Sequence, residues 1–121
     1  METIAKILIS IIALEHLYFM YFEMFAWETI GKKTFKSLPK DVFKPTKGLA
    51  ANQGLYNGFL SAGLIWSFFI NDIHWQTNIA TFFLLFVIIA GVFGAVTASK
   101  KIFFVQALPA ILALVFLLIS K

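Results

Sequence analysis

The sequence contains no cysteine and no arginine, and only 13% of its 121 residues are charged. Without cysteine there is no disulfide framework, thiolate metal site, iron–sulfur cluster or thiol nucleophile, and the redox compartment is left open. The charged fraction is far below the roughly 25% of an ordinary soluble domain, too little polar side chain to cover a surface facing water. The same composition excludes disorder and a coiled coil. What the chain has instead is 60% hydrophobic residues and a mean hydropathy of +0.88, concentrated in long apolar runs. Composition predicts an integral membrane protein of one domain, residues 1–121, with an all-α fold.

Four runs are long enough for a helix to cross a bilayer: residues 4–27, 49–70, 78–98 and 102–120. None alternates with the two-residue period of a barrel strand, so a four-helix transmembrane bundle is expected. A cleaved signal peptide competes for the first run, because Lys6 precedes an apolar stretch. That run is longer than a usual leader core, contains Glu15, His16 and Glu23, and has no small-residue cleavage site before Glu28.

The connectors set the orientation. Residues 28–48 hold Lys32, Lys33, Lys36, Lys40, Lys44 and Lys47, with Pro39 and Pro45 preventing a long helix, and the last connector is little more than Lys100 and Lys101. The middle connector, 71–77, has no lysine and carries Asp72, His74 and Trp75. The first and last connectors share a side of a four-span protein, so the positive-inside rule makes the basic loop cytoplasmic and both termini external. The loop could be read as a nucleic-acid site, but Phe35, Leu38, Val42 and Phe43 interleave with its lysines, as in a segment resting on anionic headgroups. Membrane lipids rather than nucleic acid are the expected partners.

Charged residues inside a bilayer cost about 2.5 to 3.5 kcal/mol each on insertion scales, so those present need a reason. The first span carries Glu15, His16 and Glu23. At about 100° per residue His16 and Glu23 project within roughly 20° of each other, with Glu15 on the same half of the helix. The second span opens with Asn52, Gln53, Tyr56 and Asn57 within about 140°, an amide-rich face. Gly54, Gly58 and Ala62 form a small-residue stripe on its other side, matched by Gly91, Gly94, Ala95 and Ala98 on the third span. Close packing is the expected role of both stripes, which also offer a second copy of the chain a surface for homo-oligomerisation. The fourth span adds Gln106 and Pro109, the proline kinking its helix.

Counted from the cytoplasmic ends, Glu23 lies about 6 Å deep, Glu15 and His16 about 17 to 18 Å, Asn52 to Asn57 about 4 to 12 Å and Gln106 about 6 Å. The outer halves of the second, third and fourth spans, residues 64–70, 79–89 and 110–119, offer little beyond Ser67 and Thr81. This asymmetry predicts a blind pocket entered from the cytoplasm or inner leaflet. The competing reading is that these groups only glue the bundle, yet interhelical hydrogen bonds average about 0.6 kcal/mol, a weak return on two carboxylates and an imidazole. No metal or other cofactor is expected, since His74 lies on the opposite side and no cysteine or second buried histidine completes a site with His16.

The segment ALEHLYF from Ala13 to Phe19, Glu23, the run ANQGLYNGFLSAGL from Ala51 to Leu64, and Gln106 with Pro109 resemble the bacterial and fungal membrane family known as domain of unknown function 1304. The resemblance covers nearly the whole chain and implies a four-span membrane protein, with no reaction to carry over. It picks out Glu15, His16, Glu23, Asn52, Gln53, Tyr56, Asn57 and Gln106, residues already reached from burial cost. A buried glutamate in the first of four short spans is also similar to the small multidrug resistance exporters, but their surrounding motif is absent and the lysine bias argues against dual insertion.

The leading expectation is a cytoplasm-facing pocket that binds a small apolar or amphipathic molecule from the membrane and processes it by general acid/base chemistry. Glu15 or Glu23 would be the base and His16 its partner, with Asn52, Gln53, Tyr56, Asn57 and Gln106 holding the ligand. The alternatives are a proton-coupled exporter of small hydrophobic cations, in which Glu15 exchanges a proton for substrate, and an accessory membrane subunit with no ligand of its own.

Overall fold

A computed structural model describes residues 1–120 and is helical throughout its regular structure. Helix α1 spans Thr3–Phe25 and opens where the Glu2 carboxylate accepts from the Ile4 amide at 2.9 Å. It ends at Ala26, whose backbone leaves the helical region at φ −142° and ψ 32°. A π-helical turn at Trp27–Gly31, the single turn α2 at Lys32–Thr34 and a 3-10 turn at Lys40–Val42 follow. Helix α3 spans Lys47–Ser67, α4 spans Ile73–Thr97, and a second π-helical turn at Phe103–Ala107 leads into α5 at Leu108–Ile119.

Two features differ from the sequence expectation. The segment 71–77 is mostly helical, because Asp72 caps α4 by accepting from the Trp75 amide at 3.0 Å and so starts the helix at Ile73. The basic connector is also more internally packed than a segment lying on headgroups. Phe43 is buried and Phe35 half-buried, their ring centroids 5.0 and 5.7 Å from Trp27, whereas Leu38 stays exposed. The Trp27 indole N–H donates to Thr46 Oγ1 at 3.0 Å, and Gly31 admits the ring, since a Cβ there would lie 2.7 Å from it. The loop uses two of its four apolar side chains to hold its own shape and leaves its lysines exposed.

The chain forms two compact units, one comprising Met1–Leu14 with Leu60–Lys121 and the other Glu15–Phe59. The first unit has a continuous apolar core. Ala5, Ile9, Ile12 and Ala13 come from α1, Leu64 from α3, Ala80, Leu84 and Val87 from α4, and Ala110, Ala113 and Leu117 from α5. The three-, four- and seven-residue spacings put each set on one helix face. Glycine then sets the approach. A Cβ on Gly91 would lie 2.6 Å from the Ala107 backbone nitrogen, and one on Gly94 would lie 2.9 Å from Ile102 Cγ2. The π-helical turn immediately before α5 follows from Pro109, whose ring clashes with the carbonyl four residues back, so the Leu108 amide reaches five residues back to Phe103.

Among the described residues two helices, α1 and α4, are long and apolar enough to cross a membrane. Only 28% of the most apolar stretch of α1 and 22% of that of α4 is buried within the chain, which is unlike the core helix of a water-soluble domain. Phe69, Phe93, Val96, Leu14 and Ile89 are among the large apolar residues left exposed, a surface suited to lipid. The four expected spans therefore reduce to two on length and hydropathy. Helix α3 is diluted by its polar residues, and the segment Phe103–Ile119 is shorter than a full crossing helix.

Candidate functional site

The unit Glu15–Phe59 contains every candidate catalytic and ligand-binding residue read from the sequence except Gln106. Its centre is the pairing of α1 with α3. A Cβ on Gly54 would meet Met24 Cγ at 2.9 Å, Glu23 Cβ at 3.0 Å and the Met20 carbonyl at 3.1 Å, and one on Gly58 would lie 2.6 Å from Met20 Sδ. The small-residue stripe of α3 is thus spent on contact with α1, as expected of packing. Its third member, Ala62, is exposed.

Close approach brings Asn57 onto Glu23. The Asn57 side-chain amide donates to Glu23 Oε1 at 2.6 Å, joining residues 34 apart in the sequence. Both side chains are partly buried, so water competes less for the bond than at a free surface. Asn57 carries a second N–H and a carbonyl oxygen, and Glu23 a second carboxyl oxygen. The pair therefore keeps both donor and acceptor capacity for a bound polar group.

Glu15 and His16 lie two turns before Glu23 on α1. His16 is completely buried, its ring edge-on to Phe19 at 5.2 Å. Glu15 is half-buried, and its Oε1 is shut off from solvent with no hydrogen-bond partner among the described residues. A buried carboxylate oxygen without a donor is costly, and in natural proteins calls for an explanation such as a ligand.

The other expected ligand-binding residues are not gathered around this pair. Asn52, Gln53 and Tyr56 lie on the exposed flank of α3, where Tyr56 is 56% exposed and stacks edge-on with Phe59 at 5.9 Å. Gln106, half-buried, sits within the π-helical turn of the other unit. Among the described residues no three His, Cys, Asp or Glu side chains gather as a metal site.

Ser61 escaped the sequence reading. It is completely buried in the first unit, and its hydroxyl donates to the Ala13 carbonyl at 2.8 Å. The signal was present in the spacing of Gly54, Asn57, Gly58 and Ser61 at i, i+3, i+4 and i+7, which is the pattern of one helix face.

The profile of the family described as "Protein of unknown function (DUF1304)" matches residues 10–118, which include both partners of the Glu23 and Asn57 pair. The chain belongs to the DUF1304 family. This DUF1304 protein is a helical membrane protein with at least two long apolar helices. The chain is also similar to "Uncharacterized protein YpaA" of Lactococcus lactis subsp. lactis (strain IL1403), 34% identical over 116 residues that cover 93% of this chain and 96% of that protein. No solved structure matches this DUF1304 chain.

Proposed function

We propose that this protein binds a small apolar or amphipathic molecule from the membrane at the α1 and α3 pairing, with the Glu23 and Asn57 pair holding its polar head. The observation that carries this reading is the Asn57 to Glu23 hydrogen bond at 2.6 Å, built at a glycine-lined approach and still rich in unused donors and acceptors. The buried, partnerless oxygen of Glu15 supports it, because a ligand donor would relieve that cost. Asn52, Gln53 and Tyr56, exposed on the same helix, would meet the head group as it leaves the headgroup region. In its stronger form the proposal includes turnover, with Glu15 or Glu23 as general base and His16 as partner.

The placement in the membrane completes the reading. All four apolar segments cross, α3 with its exposed Asn52, Gln53 and Tyr56 toward the headgroup end and Phe103–Ile119 as a short crossing accommodated by local bilayer thinning. The lysine-rich loop and Lys100 to Lys101 are cytoplasmic, and the chain termini are external. Gln106 would then lie in the cytoplasmic half of its own segment, and the ligand would enter from that side.

Solvent extraction of protein purified in mild detergent, followed by mass spectrometry, tests the proposal. One molecule enriched in stoichiometric amount over the surrounding lipid supports it. A lipid profile identical to that of an unrelated membrane protein from the same cells contradicts it.

A further inference from the structure

At the end of α1 remote from the lysine-rich loop, a groove of about 290 Å³ is lined by Lys6, Ser10, Phe68 and Gln76. All four residues belong to the first unit. None has a part in the function proposed above. Lys6 is outside the cluster of lysines in the connectors, and a cation at this end of the span needs its own reason.

The two acidic residues near the helix ends here are already engaged. Glu2 accepts from the Ile4 amide and Asp72 from the Trp75 amide, each closing the start of its own helix. Lys6 makes no ion pair among the described residues, so its ammonium keeps three N–H donors for an external group. Across the groove the Gln76 side-chain amide donates one N–H to the Ser67 carbonyl at 3.1 Å, which fixes the amide and leaves its second N–H. The Ser10 hydroxyl is turned back onto the Lys6 carbonyl at 2.8 Å, narrowing the groove without adding a charge.

The groove therefore presents one full positive charge, one fixed neutral donor and an aromatic wall, with no carboxylate to oppose an anion. Four residues below Ser10 on the same face of α1, Leu14 is 66% exposed, an apolar continuation toward the interior of the span. We propose that the groove binds the phosphodiester head of an anionic membrane phospholipid, with Lys6 and Gln76 on the phosphate oxygens and an acyl chain running past Phe68 and Leu14. A carboxylate amphiphile and free phosphate share part of this chemistry, but a phosphodiester offers two oxygens to two separated donors, and its attached chains use the apolar path.

Native mass spectrometry of the full chain in a neutral detergent tests this. Phosphatidylglycerol and phosphatidylcholine with identical acyl chains are titrated onto wild type, Lys6→Gln, Lys6→Arg and Lys101→Gln. One phosphatidylglycerol adduct of wild type should weaken about fivefold in Lys6→Gln, the effect of one lysine at a membrane surface, and persist in Lys6→Arg and Lys101→Gln. Circular dichroism of each variant reports folding, and Lys6→Arg keeps the test valid if Lys6→Gln fails to fold. Equal binding of the two lipids, or an adduct unchanged in Lys6→Gln, would overturn the assignment. Displacement of the lipid by oleate at equal concentration or by millimolar inorganic phosphate would also overturn it, in favour of a carboxylate or a free anion.

Discussion

Asn57 of α3 donates its side-chain amide to the Glu23 carboxyl of α1 at 2.6 Å, and Gly54 and Gly58 flank Asn57 where the two helices touch. The glycines set the distance and the asparagine uses it. Larger residues at 54 or 58 would meet Met20, Glu23 or Met24 first and hold the two polar groups apart.

As a structural bond, this contact has limited value. Interhelical hydrogen bonds in membrane proteins average about 0.6 kcal/mol with a maximum near 1.7. A double-mutant cycle with Glu23→Ala and Asn57→Ala, read by reversible unfolding in mixed micelles, should therefore give a coupling of at most about 1.7 kcal/mol. A coupling of several kcal/mol would make the pair a fold determinant and weaken its assignment to ligand binding.

The glycines should differ in tolerance. A Cβ on Gly58 meets the sulfur of Met20, the far part of a flexible side chain, whereas a Cβ on Gly91 meets the backbone nitrogen of Ala107. Gly58→Ala should cost less than about 1 kcal/mol and Gly91→Ala about 1 to 3 kcal/mol, measured as thermal unfolding in one detergent. Equal losses would mean that the approach of α4 to the turn before α5 is looser than described.

Much of this was legible in the sequence. The four apolar runs correspond to α1, α3, α4 and the segment Phe103–Ile119, and the disturbance before Pro109 follows from residue chemistry. The helical wheel of α3, however, grouped Asn57 with Asn52, Gln53 and Tyr56, while the structure turns Asn57 toward α1 and leaves the other three exposed. Periodicity gives angles about one axis and says nothing about which flank a neighbour covers. That was decided by Gly54 and Gly58, since a helix approaches closest where side chains are missing. The inward turn of Phe43 was likewise hidden, because interleaved Phe and Lys look the same whether the aromatic rests on lipid or on Trp27.

Orientation is open to direct chemical labelling. In intact cells Lys40→Cys should resist an impermeant maleimide and Asp72→Cys should react, because both residues are exposed and the lysine bias puts the first inside. Labelling of Lys40→Cys with protection of Asp72→Cys would reverse the topology and the side from which a ligand enters.

A binding protein and an exporter part company over residues 64–70, 79–89 and 110–119, the parts of the later apolar segments remote from the lysine-rich connectors, which offer few polar side chains to line an exit path. In proteoliposomes with an imposed pH gradient, the protein should accumulate no cationic dye above protein-free vesicles. Dye uptake that disappears in Glu15→Gln would instead identify Glu15 as a proton-exchanging group of a transporter.

The central claim is that the polar residues of α1 and α3 hold a ligand rather than the fold. Native mass spectrometry of wild type, Glu15→Gln and Glu23→Gln, each purified gently from the same membranes and matched for thermal stability, tests it most directly. The account predicts a bound small molecule on wild type that is lost from both variants, while their unfolding temperatures stay close to that of wild type. Variants that fail to fold, with no small molecule on the wild-type protein under any extraction, would contradict it and leave Glu15 and Glu23 as structural groups.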